Sequence, residues 1–562
     1  MKLTQYLVER LVEYKVTDVF GIPGGVILDF IYELDKHEQI SVHLSFHEQA
    51  AAYAACGYAQ SSGKLGVAYA TKGPGVTNMF TAIAEAYYDS LPVLFITAHS
   101  QNLLDHKLRI QNEQEIDHSM LVAPITKYSK RVDTVEDAIR AIKIGCREAM
   151  SGRKGPVLLD FSNKIFPCEI EPPFKDTSFE RLNKNEKVVH ECITDIIKAL
   201  ERSKRPIFLI GDGVRLSKTE RDIASIAARL HIPILSSRFS QDVVSKCKQY
   251  FGYIGSHGLR YSNFILSKTD CIISLGNRLA FRTDSASFKA ITDKAQIIRV
   301  DIDCSEFNRK IPNSSEYCID LKTFVKEFNQ IELLHKNNEW INICHILKEK
   351  LENCDINFGV EALAAFINML QEEETIVCDI GNNELLASRA YAISGNGKKL
   401  LHSKAFKTVG SAIGKAIGAY YANQKRVLCI VGDQGFQFNI QELQYVKANR
   451  LPIIFVVCNN NASEMLKDAE LRQGYEYNLH TTINSGYSHP NFQKIANAYG
   501  INYLAIRDLD IVKNEIFEDE PQIIELFLDS RCEIHQCLPK GYPCQMFVPE
   551  IDKEMYDYLN DL

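Results

Sequence analysis

The sequence predicts an α/β protein of three blocks in which parallel strands alternate with helices, and three observations carry that expectation. Short apolar runs that end in Gly, Asp, Asn or Ser recur along the chain with helical stretches between them. These runs fall into three blocks set apart by polar stretches. The 562 residues exceed what one core holds, at roughly 100–200 residues per domain. Hydrophobic content of 46% and charged content of 24% describe a globular chain, and no apolar run approaches the roughly 18 residues of a membrane span.

The first block starts with MKLTQYLVERLVEYKV, where Leu3, Leu7, Leu11 and Tyr14 mark one face of an amphipathic helix. A secretory signal would place a basic segment before an apolar one, so export is not expected and the location expected is cytoplasmic. DVFGIPGG (18–25), ISVHLSFHEQ (40–49), LGVAYATKGPG (65–75), PVLFITAHS (92–100) and GPVLLDFSN (155–163) then each read as a strand followed by a turn. The polar stretch CEIEPPFKDTSFERLNKNEKV (168–188) reads as a linker. RPIFLIGDGV (205–214), IPILSSR (232–238), TDCIISLGNRL (269–279) and AQIIRVDID (295–303) form the second block, again as parallel strands ending in small residues. A charged region, 331–354, separates it from a third block that runs from TIVCDIGNN (375–383) to PQIIELFLD (521–529). The domain bounds expected are 1–168, 190–330 and 355–540, with a tail at 541–562.

Within the third block, VLCIV (427–431) reads as a buried strand, 432–435 as a tight turn, 440–449 as a helix and 453–458 as the next strand. That is one βαβ unit, which brings the carboxyl ends of two parallel strands to the same edge and with them Asp433 and Asn460. A carboxylate, an amide oxygen and main-chain carbonyls are hard ligands suited to a small cation such as Mg²⁺. Gly-Asp turns and Asn pairs at strand ends are also ordinary loop chemistry, so the residues alone leave both readings open.

Sixteen cysteines are spread singly and often inside apolar strands, which suits reduced thiols; disulfides are not expected. Cys532, His535, Cys537 and Cys544 lack the paired spacing of structural zinc. A net charge of −7 and the lack of a long basic run argue against nucleic acid or membrane as a partner and leave a small molecule as the expected ligand.

GIPGG (21–25), HEQAAAYAACGYA (47–59), TKGPGVTN (71–78), TKYS (126–129), VDID (300–303) and GDQ with NN (432–460) stand in an order and spacing that resembles the thiamine-diphosphate-dependent enzymes, specifically the acetolactate synthase large-subunit group. The resemblance covers nearly the whole chain. It implies three doubly wound parallel-sheet α/β domains, pyrimidine-binding, central and diphosphate-binding, with thiamine diphosphate and Mg²⁺ as cofactors. It matches Glu48 to the glutamate that hydrogen-bonds the aminopyrimidine N1′ and favours the imino tautomer, whose N4′ takes a proton from the thiazolium C2. Asp433, Asn460 and the carbonyl of Ala462 match its Mg²⁺ ligands. Gly24, Gly25, Pro74, Gly75, Asn78, Asn383, Gly432, Gln434, Gly435 and Met465 fall at its cofactor-binding positions. Val409 falls where the family places an apolar wedge that bends the cofactor, Gln114 near the substrate, and Lys127 and Arg282 among basic residues of the same region.

In that family the glutamate and the metal motif serve one cofactor from different subunits, so a homodimer or homotetramer is implied. The reaction implied is decarboxylation of a 2-oxo acid, with pyruvate as the expected donor, and transfer of the acyl unit to an aldehyde or ketone.

Departures cluster where substrate is chosen. Glu113 replaces the Phe before Gln114, and Ala469 aligns with the Trp that limits the acceptor pocket. A larger pocket with an added negative charge suits a polar or sugar-derived acceptor better than a second pyruvate. Leu279, Ala280 and Phe281 precede Arg282 where flavin-binding relatives carry acids, so FAD is less expected than its absence. Gln434, Lys72 and Lys407 stand where the pattern has other residues, glycine at 407 included. Two alternatives therefore remain: a decarboxylase that ligates nothing, and a degenerate nucleotide-binding or regulatory homologue.

Overall fold

Among the described residues, eighteen strands form three six-stranded sheets in which every neighbouring pair is parallel. The computed structural model describes residues 1–100, 108–109, 112–171, 186–280, 289, 291–332, 337–395, 397–514, 517–529, 532 and 536–562. The first sheet holds β1 (Asp18–Gly21), β2 (Ser41–Leu44), β3 (Gly66–Ala70), β4 (Val93–His99), β5 (Tyr128–Val132) and β6 (Val157–Ser162). The second holds β7 (Pro206–Ile210), β8 (Ile234–Ser237), β9 (Tyr250–Ile254), β10 (Cys271–Leu275), β11 (Gln296–Asp301) and β12 (Ser314–Cys318). The third holds β13 (Thr375–Cys378), β14 (Lys399–His402), β15 (Val427–Gly432), β16 (Ile453–Asn459), β17 (Asn502–Ile506) and β18 (Gln522–Phe527). Central strands such as β3, β4, β10 and β16 are buried along their length, which is why they read as unbroken apolar runs.

The strand orders place the sites. The first sheet runs β2-β1-β3-β4-β6-β5 and the third repeats the same order as β14-β13-β15-β16-β18-β17. Each therefore reverses direction between its first strand and its third, β1/β3 and β13/β15, and the crevice at such a switch point is where doubly wound sheets bind ligands. The second sheet, β12-β11-β10-β7-β8-β9, switches between β7 and β10.

The chain divides into two compact units. One comprises Met1–Thr177, Met369–Glu384 and Lys399–Asp529, and so contains the first and third sheets. Its core is centred on the helices Glu48–Ser62 and Ala412–Asn423, rich in Ala and Gly because their backbones nearly touch. A Cβ on Gly418 would sit 1.8 Å from the Ala54 carbonyl oxygen. At this crossing Lys415 forms an ion pair with Glu85 of the helix Pro74–Tyr88, with both side chains fully buried. Burial works against the ammonium, but Glu85 and Asp89 outweigh it and raise the Lys415 pKa.

The other unit comprises Ser178–Asn368, Leu385–Lys398 and Ser530–Leu562. The charged stretch 331–354 contributes the helix Asn338–Leu351, whose Trp340, Cys344, Leu347 and Leu351 are buried with Leu559 of the tail helix Lys553–Asp561. The tail thus packs into the core of the central unit. Cys304 and Cys318, at the ends of β11 and β12, form a disulfide, which corrects the expectation of reduced thiols throughout. The segment expected as a helix at 440–449 is a 3-10 turn, Ile440–Glu442, followed by the short helix Leu443–Ala448. Most of the linker 168–188 lies outside the described residues.

Candidate active site

The β1/β3 switch point gathers one half of the expected residues. Gly24 follows β1 and faces Thr71 after β3; a Cβ on Gly24 would lie 2.4 Å from the Thr71 Cβ, so only glycine lets these turns close. Glu48 opens the helix Glu48–Ser62 one residue after its cap His47, where the helix dipole favours a carboxylate. Its Oε2 accepts a hydrogen bond from Asn78 Nδ2 at 2.9 Å. Pro74 starts the helix that carries Asn78, and a Cβ on Gly75 would stand 3.5 Å from Glu48 Oε1. Gly73, at φ 60°, lies against Gln114, itself at φ 58°. Glu48, Pro74, Gly75, Asn78 and Gln114 are therefore one group, with Glu113 and Gln114 exposed at its rim. Among the described residues nothing lies within 4 Å of where a Cβ on Gly25 would stand.

Lys72, the departure in this loop, is held by Ser100 Oγ at 2.7 Å and Glu115 Oε1 at 3.0 Å. Burial alone would raise the Glu115 carboxyl; the Ser100 hydroxyl and the Lys72 ammonium keep it below its ordinary value. Lys127 is engaged elsewhere, its Nζ donating to the carbonyls of Ser151 at 2.8 Å and Glu148. Arg282 lies outside the described residues.

A buried relay behind this loop joins residues that no motif connects. His118 Nε2 accepts the Gly73 N–H at 2.9 Å, so its proton sits on Nδ1, 3.0 Å from Asp160 Oδ2. His99 lies between two carboxylates, with Nδ1 3.0 Å from Asp160 and Nε2 2.9 Å from Asp133. An imidazole whose two nitrogens both face carboxylates donates from both, which makes His99 an imidazolium; burial opposes this, but the hydrogen bond to Asp160 prevails and raises its pKa. Asp160 is in turn held well below the usual carboxylate range, although burial pushes the other way, by its bonds to His118 and His99.

The β13/β15 switch point gathers the second half. Asp433 follows β15, donates its N–H to the Cys458 carbonyl at 3.2 Å, and so lies beside the end of β16, two residues before Asn460. Asp433 Oδ1 accepts from Tyr487 Oη at 2.7 Å and from the Gln434 N–H at 2.9 Å. Among the described residues its Oδ2 is buried without a partner. Burial raises the Asp433 pKa, against the pull of the Tyr487 hydrogen bond. An orphaned carboxylate oxygen is what a cation removes, so this position fits Mg²⁺. Asn460 Oδ1 accepts the Ala462 N–H at 3.3 Å, and Asn461 adopts φ 57° between them.

Asn383 closes this cradle, with Nδ2 on the Asp379 carbonyl at 2.8 Å and Oδ1 against Gly381 and Gly432. Asp379 was not expected here. Its carboxylate accepts the N–H groups of Gly410, at 2.8 and 3.0 Å, Ser411 and Ala412, and so fixes the turn directly after Val409, which is 40% exposed. Burial lifts the Asp379 carboxyl to about 7 despite those donors. Gly435 packs on the same carboxylate, while Gln434 is exposed. Met465 and Ala469 sit on the next helix, Glu464–Gln473, Met465 exposed and Ala469 half-buried.

The two halves are linked within one chain by Glu442, whose Oε1 accepts the Phe46 N–H at 2.9 Å, two residues before Glu48. Only the spacing of 396 residues separates this pair from recognition in the sequence.

Comparison with known proteins supplies three family matches in chain order. Residues 1–121 match the model described as thiamine pyrophosphate enzyme, N-terminal TPP binding domain; 193–328 match its central domain, and 379–525 its C-terminal TPP binding domain. The acetolactate synthase large subunit of Lactococcus lactis subsp. lactis is 30% identical over 551 residues, covering 96% of this chain and 94% of the relative. A probable acetolactate synthase large subunit of Methanococcus aeolicus is 29% identical, covering 94% and 92%. The acetolactate synthase large subunit of Haemophilus influenzae is 28% identical, covering 92% and 91%.

Proposed function

Because the chain belongs to the thiamine pyrophosphate enzyme family, as an acetolactate-synthase-like enzyme, we propose that it decarboxylates a 2-oxo acid, pyruvate first among them, and transfers the acyl unit to a polar aldehyde or ketone. The observation that carries this reading is the Oδ2 of Asp433 at the β13/β15 switch point, buried and unpartnered among the described residues. Asp433, Asn460 and the Ala462 carbonyl would hold Mg²⁺, and Asn383, Gly432 and Gly435 would leave room for the diphosphate. When bound, the cofactor supplies a carbon nucleophile and an electron sink. Glu48, held on Asn78, would keep a proton at the pyrimidine N1′. Val409, presented by the Asp379-bound turn, would support the bend of the cofactor.

Apolar side chains flank both halves. Leu44 and Phe46 near Glu48 and Phe406, Val409 and Phe438 near the Asp433 cradle are each more than a third exposed. Their exposure supports association of two copies that joins Glu48 of one to Asp433 of the other.

At the rim, exposed Glu113 and Gln114 with the small Ala469 support an acceptor that carries hydroxyl groups and no carboxylate of its own. Glu113 would repel a second pyruvate. The test is product analysis from pyruvate alone and with hydroxylated aldehydes or ketones. A ligated product formed only with the hydroxylated acceptor supports the reading; acetolactate as the main product refutes the acceptor assignment, and free aldehyde as the sole product refutes transfer.

A further inference from the structure

Tyr487 reaches Asp433 across 54 residues, and no motif connects the two. It is 7% exposed and stands two residues after the 3-10 turn Ile483–Ser485, donating its N–H to the Thr482 carbonyl at 2.9 Å. That turn is fastened to the cradle itself. Ala462 and Thr482 pair as an antiparallel bridge, and Ser463 donates its N–H to the Thr481 carbonyl at 2.8 Å. Glu470, on the helix Glu464–Gln473, accepts from the Leu479 N–H at 2.9 Å, the Asn478 side chain at 2.9 Å and the Thr481 hydroxyl at 2.8 Å. Segment 478–487 therefore returns to the end of β16 and brings its tyrosine to the end of β15.

The two oxygens of Asp433 are thereby made unequal. Oδ1 accepts from Tyr487 Oη at 2.7 Å and from the Gln434 N–H at 2.9 Å, while Oδ2 has no partner among the described residues. A carboxylate with one oxygen taken by two donors offers a cation the other alone. His489, two residues on, secures the rest of the cradle. Its Nε2 lies 2.8 Å from Oδ1 of Asn461, the residue at φ 57° between Asn460 and Ala462, and its ring stacks on Phe492 with centroids 5.2 Å apart. Mg²⁺ demands a near-ideal octahedron, whereas Ca²⁺ is larger, tolerates irregular geometry and readily takes a carboxylate through both oxygens. Resting on the reading of Asp433, Asn460 and the Ala462 carbonyl as the Mg²⁺ ligands, we infer that Tyr487 is a positioning residue that restricts Asp433 to one-oxygen coordination. It thereby tunes the site toward a small octahedral cation and against a larger one.

The experiment is equilibrium dialysis of thiamine diphosphate against the full chain, with Mg²⁺ or Ca²⁺ titrated in turn, for the wild type, Tyr487→Phe and Asp433→Ala. Phe keeps the ring and removes only the O–H. In Tyr487→Phe the Mg²⁺ concentration at half-saturation should rise at least about ten-fold, the usual worth of a group that orients a metal ligand. The Ca²⁺ concentration should rise less or fall, because the freed Oδ1 becomes a second ligand for the larger ion. An unchanged Mg²⁺ requirement overturns the proposal, and so does an equal rise for both ions, since a merely structural role moves both together. Asp433→Ala separates this result from the underlying reading. Metal-dependent binding that Asp433→Ala abolishes and Tyr487→Phe leaves unchanged refutes the tyrosine's role alone. Binding that neither cation promotes, or that Asp433→Ala leaves intact, refutes the metal site and the inference with it. Should Tyr487→Phe fail to fold, the infrared difference spectrum of the wild type on adding Ca²⁺ is read for the carboxylate bands that Asp433→Ala lacks. Bands of one-oxygen coordination support the proposal, and bidentate bands overturn it.

Discussion

Replacing Glu442 by Gln should stabilise the protein in a pH-dependent way. Glu442 is fully buried, its Oε1 bonded to the Phe46 N–H and its Oε2 without a partner among the described residues. Burial pushes its carboxyl from 4.5 to about 7, with the Phe46 and His47 N–H groups acting the other way. Between those two values the folded chain holds a proton that the unfolded chain has released, so stability falls as pH rises from about 4.5 to about 7 and levels off above. At 1.36 kcal/mol per pKa unit the loss is about 3 kcal/mol. Gln copies the protonated acid in shape and keeps an acceptor for Phe46. The variant should therefore match the wild type near pH 4 and exceed it by up to about 3 kcal/mol near pH 8, which is several degrees in thermal midpoint. Thermal unfolding of both proteins at the two pH values measures this. A gap that does not change with pH, or a variant less stable at both, would refute the reasoning.

Lys415→Met should lower stability by about 3–5 kcal/mol, because it leaves Glu85 charged and buried at the helix crossing. The double variant with Glu85→Leu should recover most of that loss in the same unfolding assay; a double variant no better than the single one contradicts the pairing. His118→Leu removes the acceptor of the Gly73 N–H and should raise the cofactor concentration at half-saturation while lowering kcat about ten-fold. Nitrogen NMR on the wild type should find His118 protonated on Nδ1 alone and His99 on both nitrogens. Asp433→Ala should weaken Mg²⁺-dependent binding of thiamine diphosphate at least about a hundred-fold in equilibrium dialysis.

The strands that an apolar run announces are those with a neighbour on each side, together with β2. β5, β9, β12, β14 and β17 escape such a reading, and each is the edge strand of its sheet. Edge strands such as SSEYC and YSKRV are only half-buried and therefore carry polar residues that mask the pattern. Glu48, Asp433 and Asn460 are visible because each stands in a short motif at a strand end or helix start. The relay of His99, His118 and Asp160 is not, since its members come from three separate segments and only the sheet brings them together. Asp379 and Glu442 are hidden for the same reason: their meaning lies in the backbone N–H groups they receive from distant loops. The Cys304–Cys318 pair, 14 residues apart, shows the limit of reading cysteines by composition.

The central claim is that Glu48 and the Asp433 cradle serve one cofactor in the decarboxylation of a 2-oxo acid. Carbon dioxide release from a panel of 2-oxo acids, with thiamine diphosphate and Mg²⁺ supplied, tests it most directly when wild type and Glu48→Gln are compared. Release from at least one acid, pyruvate first, that falls at least about a hundred-fold in Glu48→Gln is the result predicted. No release from any acid, or release that Glu48→Gln leaves unchanged, would contradict it.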